Sequence, residues 1–567
     1  MKKIYLVFQT ILLSMAIQAQ SFNFEWAKSI GAEWDDVGYA IATDSSHNVY
    51  IGGRFRYTVD FDPGPGVFNL TSCGNNIYDI YILKLDSSGN FIWAKSIGGF
   101  GNDACRTITI DSTGYLLVLG YFQNEVDFDP GTANYNLTSA GDYSTFILKL
   151  NPLGDFVWVK AFGGSGNIGS KSIAVDGPGN IYMAGSFYDT VDVDPDTTVY
   201  NIVSTFGNLN DIFILKLDSQ GDFAWAVSFG CNYHDEGNSI TVDASGDVYV
   251  TGTFDDSVDF DPGVGTYYLH SNGYGRDAFF LKLSSNGDLI WAKSVGGVFN
   301  EEGQVIKTAP DGNLVITGTF TDTVDFDPGP ADFYLYAPES YGIFIEKLDP
   351  DGNFIWASSM QGSGINNIND LAIDNSGHIY LTGSFGGALS FNSSTPSYDL
   401  ISNGNADIFI EVLDADGNFY WATSFGEWYS EYGFSITCDD EDFVYATGGY
   451  RGTIDFNPGP DTFNLTSNGS IDVYVLKLHK SMLGINIVGK ADGISVFPNP
   501  FHNIINIDFG EIRDVTITVF DISGQIVFYK DNINTSTYQF EINKAQGIYI
   551  MEVSSQGEKR KFKLVKN

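Results

Sequence analysis

Positive charge, histidine and cysteine are all scarce in this chain. Its 567 residues include 29 Lys and Arg against 70 Asp and Glu, a net charge of −41, with 6 His and 4 Cys. A surface this acidic repels nucleic acid and anionic membranes, so we expect neither as a partner. The histidines are scattered, and no zinc, phosphate-loop or nucleophile-elbow motif is present. These absences argue against an enzyme of a familiar type.

Long apolar runs are also lacking, except at the start of the chain. Lys2 and Lys3 form a positive end, Ile4 to Ile17 is mostly apolar, and Ala19 is a small residue suited to cleavage. This pattern predicts a secretory signal peptide over residues 1–19. The run is short for a membrane span, so the mature chain is expected to be soluble and exported.

What the chain does have is a repeat. A tryptophan recurs every 65 to 67 residues: Trp26, Trp93, Trp158, Trp225, Trp291, Trp356 and Trp421. Each unit reads as four short strands separated by Gly-, Asn- and Asp-rich turns. A fixed period with several strands per unit is typical of propellers and solenoids. We therefore predict an all-β fold with a seven-bladed β-propeller over residues 20–480.

The two ends of the repeat region complement each other. Residues 22–30 read as a fourth strand with no unit before it, while the last unit ends near Leu478 without such a strand. Pairing of the two would close the ring and remove an exposed edge. The recurring tryptophan is best explained by packing between blades, and the Gly that ends each second strand by close backbone approach.

The four cysteines, Cys73, Cys105, Cys231 and Cys438, occupy different positions of the repeat. A repeated disulfide framework is therefore excluded. Cys438 lies in a strand pattern and reads as a buried thiol, and a single Cys73–Cys105 bridge is left open by the spacing.

The chain resembles two known families. Ser172-Ile-Ala-Val-Asp176, Gly179-Asn-Ile-Tyr182 and Asp211-Ile-Phe-Ile-Leu-Lys-Leu-Asp218 make the repeats similar to the bacterial β-propeller repeat called SBBP, a resemblance that implies a fold and little about activity. The Asp-Phe-Asp-Pro-Gly segment between the second and third strands departs from that pattern.

The C-terminus resembles a type A sorting domain of the type IX secretion system found in Bacteroidetes. The matching residues are Pro498, Asn499, Pro500, Gly524, Gly547 and Tyr549, followed by a basic tail. The resemblance implies a small β-sandwich over residues 493–567, after a linker at 481–492. It also implies the type IX machinery as a partner and export through the periplasm to the cell surface or the extracellular space.

The inserted segment carries a repeated carboxylate pair. Side chains two residues apart in an extended chain lie on the same side of it, where a Ca²⁺ ion could offset the repulsion between the two carboxylates. The alternative is an Asx turn in which aspartate accepts backbone N–H groups. The candidate calcium ligands are Asp60, Asp62, Asp127, Asp129, Asp192, Asp194, Asp259, Asp261, Asp325, Asp327 and Asp455; the sixth unit has Ser390 and Asn392 instead.

Added length in every unit falls on the end that carries this insertion, so we expect the functional face there. Arg56 and Arg451 occupy equivalent positions of units that would be neighbours in a closed ring, and Arg54 is near. They form a candidate site for a carboxylate or sulfate of a glycan, with local ion pairs as the alternative.

The predicted function is that of an exported, non-catalytic, monomeric propeller that binds an extracellular protein or glycan. The alternative is a carbohydrate-active enzyme, glycosidase- or lyase-like, since paired carboxylates can hydrolyse glycosides. The pairs recur in nearly every unit, however, whereas a catalytic pair normally occurs once. No cofactor other than Ca²⁺ is expected.

Overall fold

The computed structural model describes residues 21–74, 76–196, 198–364, 366–391, 398–481, 495–497, 504–509, 514–521, 525–542, 544, 547–555 and 558–566. Every helix or strand in these ranges is a β-strand, which confirms the all-β prediction. The same residues contain no helix with the length and hydropathy of a membrane span. One compact unit is Phe22–Lys480, and the described residues from Ser481 onward belong to another. The predicted signal peptide lies outside the described residues, as does all of the predicted linker except Ser481.

Within residues 21–481 the strands form seven antiparallel four-stranded units, which we call sheets 1 to 7 along the chain; three of them continue into a two-stranded ribbon to make six strands. The first strands are Val37–Thr43, Ala104–Ile110, Ile168–Val175, Glu236–Val242, Glu302–Thr308, Asn366–Ile373 and Tyr432–Cys438. The second strands are Val49–Phe55, Leu116–Phe122, Ile181–Phe187, Val248–Phe254, Leu314–Asp325, Ile379–Phe385 and Phe443–Tyr450. The third strands are Asp79–Leu85, Ser144–Leu150, Asp211–Leu217, Asp277–Leu283, Tyr334–Leu348, Asp407–Leu413 and Asp472–Ser481. The fourth strands are Phe91–Gly99, Phe156–Gly164, Phe223–Phe229, Leu289–Val295, Phe354–Gly362, Phe419–Phe425 and, for sheet 7, the N-terminal Ser21–Ile30.

A two-stranded ribbon follows each second strand. In sheet 5 it continues the second and third strands without a break. In the other sheets its strands are Thr58–Asp60 with Asn69–Thr71, Glu125–Asp127 with Asn136–Thr138, Thr190–Asp192 with Asn201–Val203, Ser257–Asp259 with Tyr268–His270, Ala388–Ser390 with Asp399–Ile401, and Thr453–Asp455 with Asn464–Thr466. The ribbons of sheets 2, 3 and 6 also pair with the fourth strand of the preceding sheet.

The hydrophobic core lies between neighbouring sheets. Second and third strands are rich in β-branched and aromatic residues and are buried on both faces, as Val248–Phe254 shows. Fourth strands are more exposed, and in Leu289–Val295 only Ala292 and Val295 are buried. Burying one large apolar side chain stabilises a fold by about 1.5–3 kcal/mol, so stacking of sheet on sheet supplies most of the stability.

The recurring tryptophan packs between sheets, as predicted. Trp225 donates its indole N–H to the carbonyl of Ser285 at 3.1 Å, in the turn between the third and fourth strands of the next sheet. Gly287 of that turn lies directly against the indole, because a Cβ atom there would be 3.1 Å from the ring.

The first strands lie side by side, each next to the first strand of the following sheet, and that of sheet 7 lies next to that of sheet 1. Backbone N–H groups donate across these boundaries: Ile240 to Ser172 Oγ at 3.2 Å, and Ile41 to Ser435 Oγ at 3.3 Å. The N-terminal strand is bonded to the third strand of sheet 7.

Pairs of buried carboxyl groups lie at five of the boundaries between sheets, and we call them the junction carboxyls. Asp103 accepts the N–H groups of Gly99 at 3.0 Å and Gln123 at 2.9 Å, and Asp79 accepts that of Cys73 at 2.8 Å. Burial raises the pKa of Asp103 to about 8, helped by the charge of Asp79, and raises the pKa of Asp79 to about 6. The other pairs are Asp36 with Asp472, Asp235 with Asp211, Glu301 with Asp277, and Glu431 with Asp407.

The C-terminal unit contains two sheets around one hydrophobic core. One sheet contains, in the order of neighbouring strands, Ser495–Phe497, Ile504–Asp508 and Thr537–Glu541. The other contains Ile526–Ile533, Val515–Asp521, Gly547–Ser555 and Glu558–Lys566. Side chains of both sheets, among them Ile507, Val519 and Met551, are fully buried together.

Candidate functional site

A cavity of about 890 Å³ lies at the end of the sheets that carries the ribbons. Its lining includes Arg54 at the end of a second strand, Tyr78 just before a third strand, and Asn102 in a loop between sheets. We call it the mouth cavity. A second cavity of about 470 Å³, the inner cavity, is lined by the first strands of all seven sheets. The mouth cavity lies on the face where the sequence predicts function.

One residue of every first strand lines both cavities, and we call these seven residues the collar. They are Tyr39, Arg106, Lys171, Asn238, Gln304, Asn369 and Phe434. In all seven sheets the pairing of the first and second strands shifts register at this residue. Such a β-bulge leaves one residue unpaired and re-aims its side chain. The bulges thus place seven unlike side chains between the two cavities.

A glycine in each second strand makes room for the bulge. At Gly252 a Cβ atom would lie 1.9 Å from the carbonyl oxygen of Glu236 on the first strand, closer than any side chain tolerates. Gly53, Gly120, Gly185, Gly318, Gly383 and Gly448 meet the equivalent carbonyl in the same way. The close backbone approach predicted for these glycines is confirmed.

One wall of the mouth cavity combines cations with aromatic rings. The guanidinium carbons of Arg54 and Arg106 lie 5.6 and 5.3 Å from the ring centroid of Tyr39. Arg54 also lies 4.3 Å from the centroid of Tyr78, and Arg106 lies 5.2 Å from that of Tyr121. Burial raises the pKa of Tyr39 although both guanidinium charges oppose the shift, so its hydroxyl stays protonated and can donate a hydrogen bond.

The opposite wall is acidic and amidic. Lys171 donates to Glu236 Oε2 at 2.5 Å and to Asn238 Oδ1 at 2.7 Å, so its charge is already neutralised. Asn238 in turn donates to the carbonyl of Gly303 at 2.8 Å, and Glu302 completes this wall. The cavity therefore has an asymmetric charge distribution on a repeating scaffold.

The aspartate pairs lie in the turns of the ribbons. Asp259 Oδ1 accepts the N–H groups of Asp261 at 3.1 Å and Tyr267 at 2.7 Å, and Asp261 Oδ1 accepts that of Gly263 at 2.8 Å. The same three hydrogen bonds recur in five other ribbons: the first residue of the pair accepts two backbone N–H groups, and the second accepts the N–H group of the residue two positions later. These pairs are Asp60/Asp62, Asp127/Asp129, Asp192/Asp194, Asp325/Asp327 and Asp455/Asn457. These turns account for the two-residue spacing, and Asn457 shows that the second position works without charge. Ser390 ends a ribbon strand, and Asn392 lies outside the described residues. Calcium binding stays a prediction.

The three arginines singled out in the sequence do not act alike. Arg56 lies 3.1 Å from Asp35 and donates to Asn76, the local ion pair weighed as the alternative. Arg451 is exposed and lies 4.4 Å from the ring centroid of Tyr429. Arg54 lines the mouth cavity. Only this one of the three therefore belongs to the candidate site.

His47 is the histidine with the most acidic surroundings. It lies in the turn after the first strand of sheet 1, and Asp439 and Asp440 lie in the turn after the first strand of sheet 7. Its Nδ1 is 3.2 Å from Asp439 Oδ2 and 3.7 Å from Asp440 Oδ1. Among the described residues this is the one group of three His, Cys or acidic side chains with converging ligand atoms. Tyr445 and the N–H of Phe443 already donate to Asp439, so the cluster reads as a turn network.

The four cysteines are free thiols, so the Cys73–Cys105 bridge left open by the sequence is not formed. Cys438 is half-buried in the first strand of sheet 7. Tyr549, predicted as part of the sorting signal, is buried in the C-terminal unit, and Gly547 begins its strand. Pro498, Asn499, Pro500 and Gly524 lie outside the described residues.

Sequence reasoning missed the collar, which carries most of the candidate site. A signal was present: the collar position, third or fourth in each first strand, changes chemical class from unit to unit, while the residues on either side of it are small or apolar in every unit except the sixth, where Asp370 follows Asn369. Reading the repeat for its most variable position would have found Tyr39, Arg106 and Lys171.

Comparison with known families identifies the C-terminal part. Residues 495–567 match the family described as the secretion system C-terminal sorting domain. This domain marks proteins exported by type IX secretion in Bacteroidetes to the cell surface or outside the cell. The predicted localisation and handling by the type IX machinery are thereby confirmed. The chain is an exported, all-β protein with repeated sheets.

Two known proteins share sequence with the chain. An uncharacterized WD repeat-containing protein, L264, of Acanthamoeba polyphaga mimivirus is 24% identical over 80% of this chain and 38% of its own length. The regulatory protein FlaEY of Caulobacter vibrioides is 24% identical over 41% of this chain and 23% of its own. The chain thus spans well under half the length of either relative.

Solved structures resemble the chain only distantly. A protein of unknown function from Bacteroides caccae has a TM-score of 0.25 at 10% identity, over 49% of this chain and 89% of its own. Sqt1 from Chaetomium thermophilum has a TM-score of 0.33 at 11% identity, over 81% of this chain and 100% of its own.

Proposed function

We propose that residues 22–480 form a seven-bladed β-propeller closed by its N-terminal strand and that this propeller binds an extracellular ligand at the mouth cavity without catalysis. Each four-stranded sheet is one blade, and its repeat is of the SBBP type. The succession of neighbouring first strands, with that of sheet 7 beside that of sheet 1, supports the ring. The N–H of Asp36, which donates to the carbonyl of Ile471 at 2.7 Å, links the two ends of the repeat region.

The observation that carries the binding function is the contrast between scaffold and cavity. The glycines, tryptophans and Asp turns repeat from sheet to sheet, whereas the collar presents two aromatic rings, two cations and three amides. Concave sites with a few convergent polar groups are where proteins bind small ligands. The lining offers aromatic rings for stacking, amide groups for hydrogen bonds and charged groups for ion pairs, and all three can hold a ligand. An exported protein meets such a ligand outside the cell.

The experiment is a binding array with the full-length exported protein, carrying soluble polysaccharides and extracellular-matrix proteins. We expect saturable binding to at least one member, lost when Tyr39→Ala is combined with Phe434→Ala. Leu153→Ala, in an exposed turn between third and fourth strands, is the matched control and should bind like the parent.

Binding that survives the collar double variant would refute the mouth cavity as the site, as would a parent protein that binds nothing on the array. Release of reducing sugar from a bound polysaccharide would establish the catalytic alternative instead.

A further inference from the structure

Two cations in the mouth cavity have no counter-charge. Across the described residues no carboxylate oxygen lies within 4.0 Å of the guanidinium nitrogens of Arg54 or Arg106, whereas Arg56 has Asp35 and Lys171 has Glu236. Arg276 and Arg451 also have no carboxylate oxygen within 4.0 Å among the described residues, so what sets Arg54 and Arg106 apart is that both line the cavity. The Nε of Arg54 is in addition buried without an acceptor. A buried donor left unpaired costs about 1–3 kcal/mol, which an acceptor from a ligand would recover.

Aromatic rings hold both cations in place. Arg54 lies over Tyr78 and Arg106 over Tyr121, with Tyr39 close to both. A guanidinium stacked on a ring keeps its N–H edge free, and that edge matches the two oxygens of a carboxylate or sulfate. The two cations lie on neighbouring sheets and both lie near the ring of Tyr39, so one anionic group bound beside Tyr39 can be contacted by both.

The surroundings fit a saccharide that carries this group. Tyr121 and Tyr143 pair with ring centroids 6.1 Å apart, and Tyr143 is 40% exposed, so an aromatic surface adjoins the cations. Amide side chains and the carboxylates of Glu236 and Glu302 face them with acceptors and donors for hydroxyl groups. The net charge of −41 disfavours densely charged polyanions. An acid group spaced by neutral sugar suits this field.

We propose that the mouth cavity binds an acidic saccharide, its carboxylate or sulfate held between Arg54 and Arg106 and its sugar rings laid against Tyr121 and Tyr143. This rests on the proposed function and specifies its ligand class.

The test is isothermal titration of the full-length protein with hexasaccharides of hyaluronan and glucuronoxylan, in which neutral sugars separate the carboxylates, each beside its carboxyl-reduced neutral form. A keratan sulfate hexasaccharide, which carries sulfate and no carboxylate, separates the two kinds of anion. We expect at least one acidic probe to bind, and its neutral form to bind roughly tenfold or more weakly, as for loss of a charge-assisted hydrogen bond. Arg54→Gln and Arg106→Gln should each lower affinity for the acidic probe by a similar factor and leave the neutral form unchanged.

Arg451→Gln is the matched control, because it removes the same charge from an exposed position outside the lining. Melting curves of the variants confirm that they fold. Equal affinity for acidic and neutral forms, or affinity unchanged in both arginine variants, overturns acid recognition. In that case loss of binding in the Tyr39→Ala, Phe434→Ala double variant still upholds the mouth cavity as the site. No binding of any acidic probe at millimolar concentration overturns the saccharide assignment.

Discussion

Two single residues stand out against the repeat. Glu346 and Glu411 occupy a third-strand position that is leucine in the other sheets, where Leu83, Leu148, Leu215, Leu281 and Leu476 are fully buried. Both glutamates are buried as well. Three of their carboxylate oxygens have no hydrogen-bond partner among the described residues. They are both oxygens of Glu346 and Oε2 of Glu411. Burial raises the pKa of both well above the ordinary value, which favours the protonated form.

Restoring leucine at these positions should stabilise the protein. We expect Glu346→Leu and Glu411→Leu each to raise the free energy of unfolding by about 1–3 kcal/mol, since each removes a buried unsatisfied polar group. Denaturant unfolding measures the change, and Leu281→Glu as the reverse control should lower stability. A decrease in either leucine variant would mean that the carboxyl has a partner or a role in the native protein.

The calcium prediction for the Asp pairs is decided by one titration. Bound Ca²⁺ raises the melting temperature by mass action, and Asp259→Asn with Asp261→Asn should lower the bound-metal stoichiometry. Asn457 already forms the turn bond of its aspartate equivalents, so Asp261→Asn keeps that bond, and an asparagine at position 259 retains the Oδ1 that accepts both N–H groups. An unchanged melting curve in both chelator and millimolar Ca²⁺ would leave these residues with a turn role alone.

At the scale of the element, the bulge of each first strand depends on the glycine facing it. Gly252→Ala should destabilise the protein by about 1–3 kcal/mol or more, because the new Cβ would meet the Glu236 carbonyl at 1.9 Å. Gly177→Ala is the matched control, with no atom within 4 Å of the new Cβ, and should be neutral. Thermal unfolding of the two variants side by side gives the answer, and equal melting temperatures would refute the argument.

The N-terminal strand is the second element with a clear test. Deleting residues 20–30 removes the fourth strand of sheet 7 and with it contacts such as that of Phe22 with Trp421, whose ring centroids are 4.6 Å apart. The strand Asp472–Ser481 then becomes an open edge, so we expect a lower melting temperature and self-association by light scattering. Lys28→Ala in the same strand should behave like the parent. A deletion variant that melts like the parent and stays monomeric would contradict closure.

The elements were predictable because their signals are local and recur in every unit. Strand alternation, turn glycines and the tryptophan position all follow from the repeat, and so does the Asx turn that the sequence offered as the alternative to calcium. The collar was not predictable in this way. A bulge takes one residue out of the strand pairing, but the alternation of buried and exposed side chains in the sequence gives no sign of it. Nor does any local pattern place Tyr39 against Phe434, with ring centroids 5.1 Å apart, across most of the chain.

On the scale of the whole molecule, the junction carboxyls set the pH dependence of stability. Burial raises the pKa of Asp36, Asp235, Glu301 and Glu431 to about 7 and that of Asp277 to about 8, while unfolded carboxyls titrate near 4. Between these limits the folded state binds more protons than the unfolded state, so stability falls as pH rises.

We therefore expect the melting temperature to fall between about pH 5 and pH 8. Calorimetry across this range measures it, and Asp277→Asn with Glu301→Gln should flatten the slope by removing one pair. Below about pH 4 the trend should reverse, because hydrogen bonds and nearby cations outweigh burial and lower the pKa of Asp44, Asp111 and Asp374. A melting temperature that rises steadily from pH 5 to pH 8 would contradict this account.

The seven bulges also bear on how such a protein can diversify. A residue in a regular ladder is constrained by its cross-strand partner, so changing it disturbs two strands at once. A bulged residue has no such cross-strand partner, so a collar position can be substituted without disturbing a second strand, and its remaining constraints are contacts between collar side chains such as that of Tyr39 with Phe434. At most seven point changes would therefore replace the whole collar while the framework is kept, which makes the collar a convenient starting point for engineered binders.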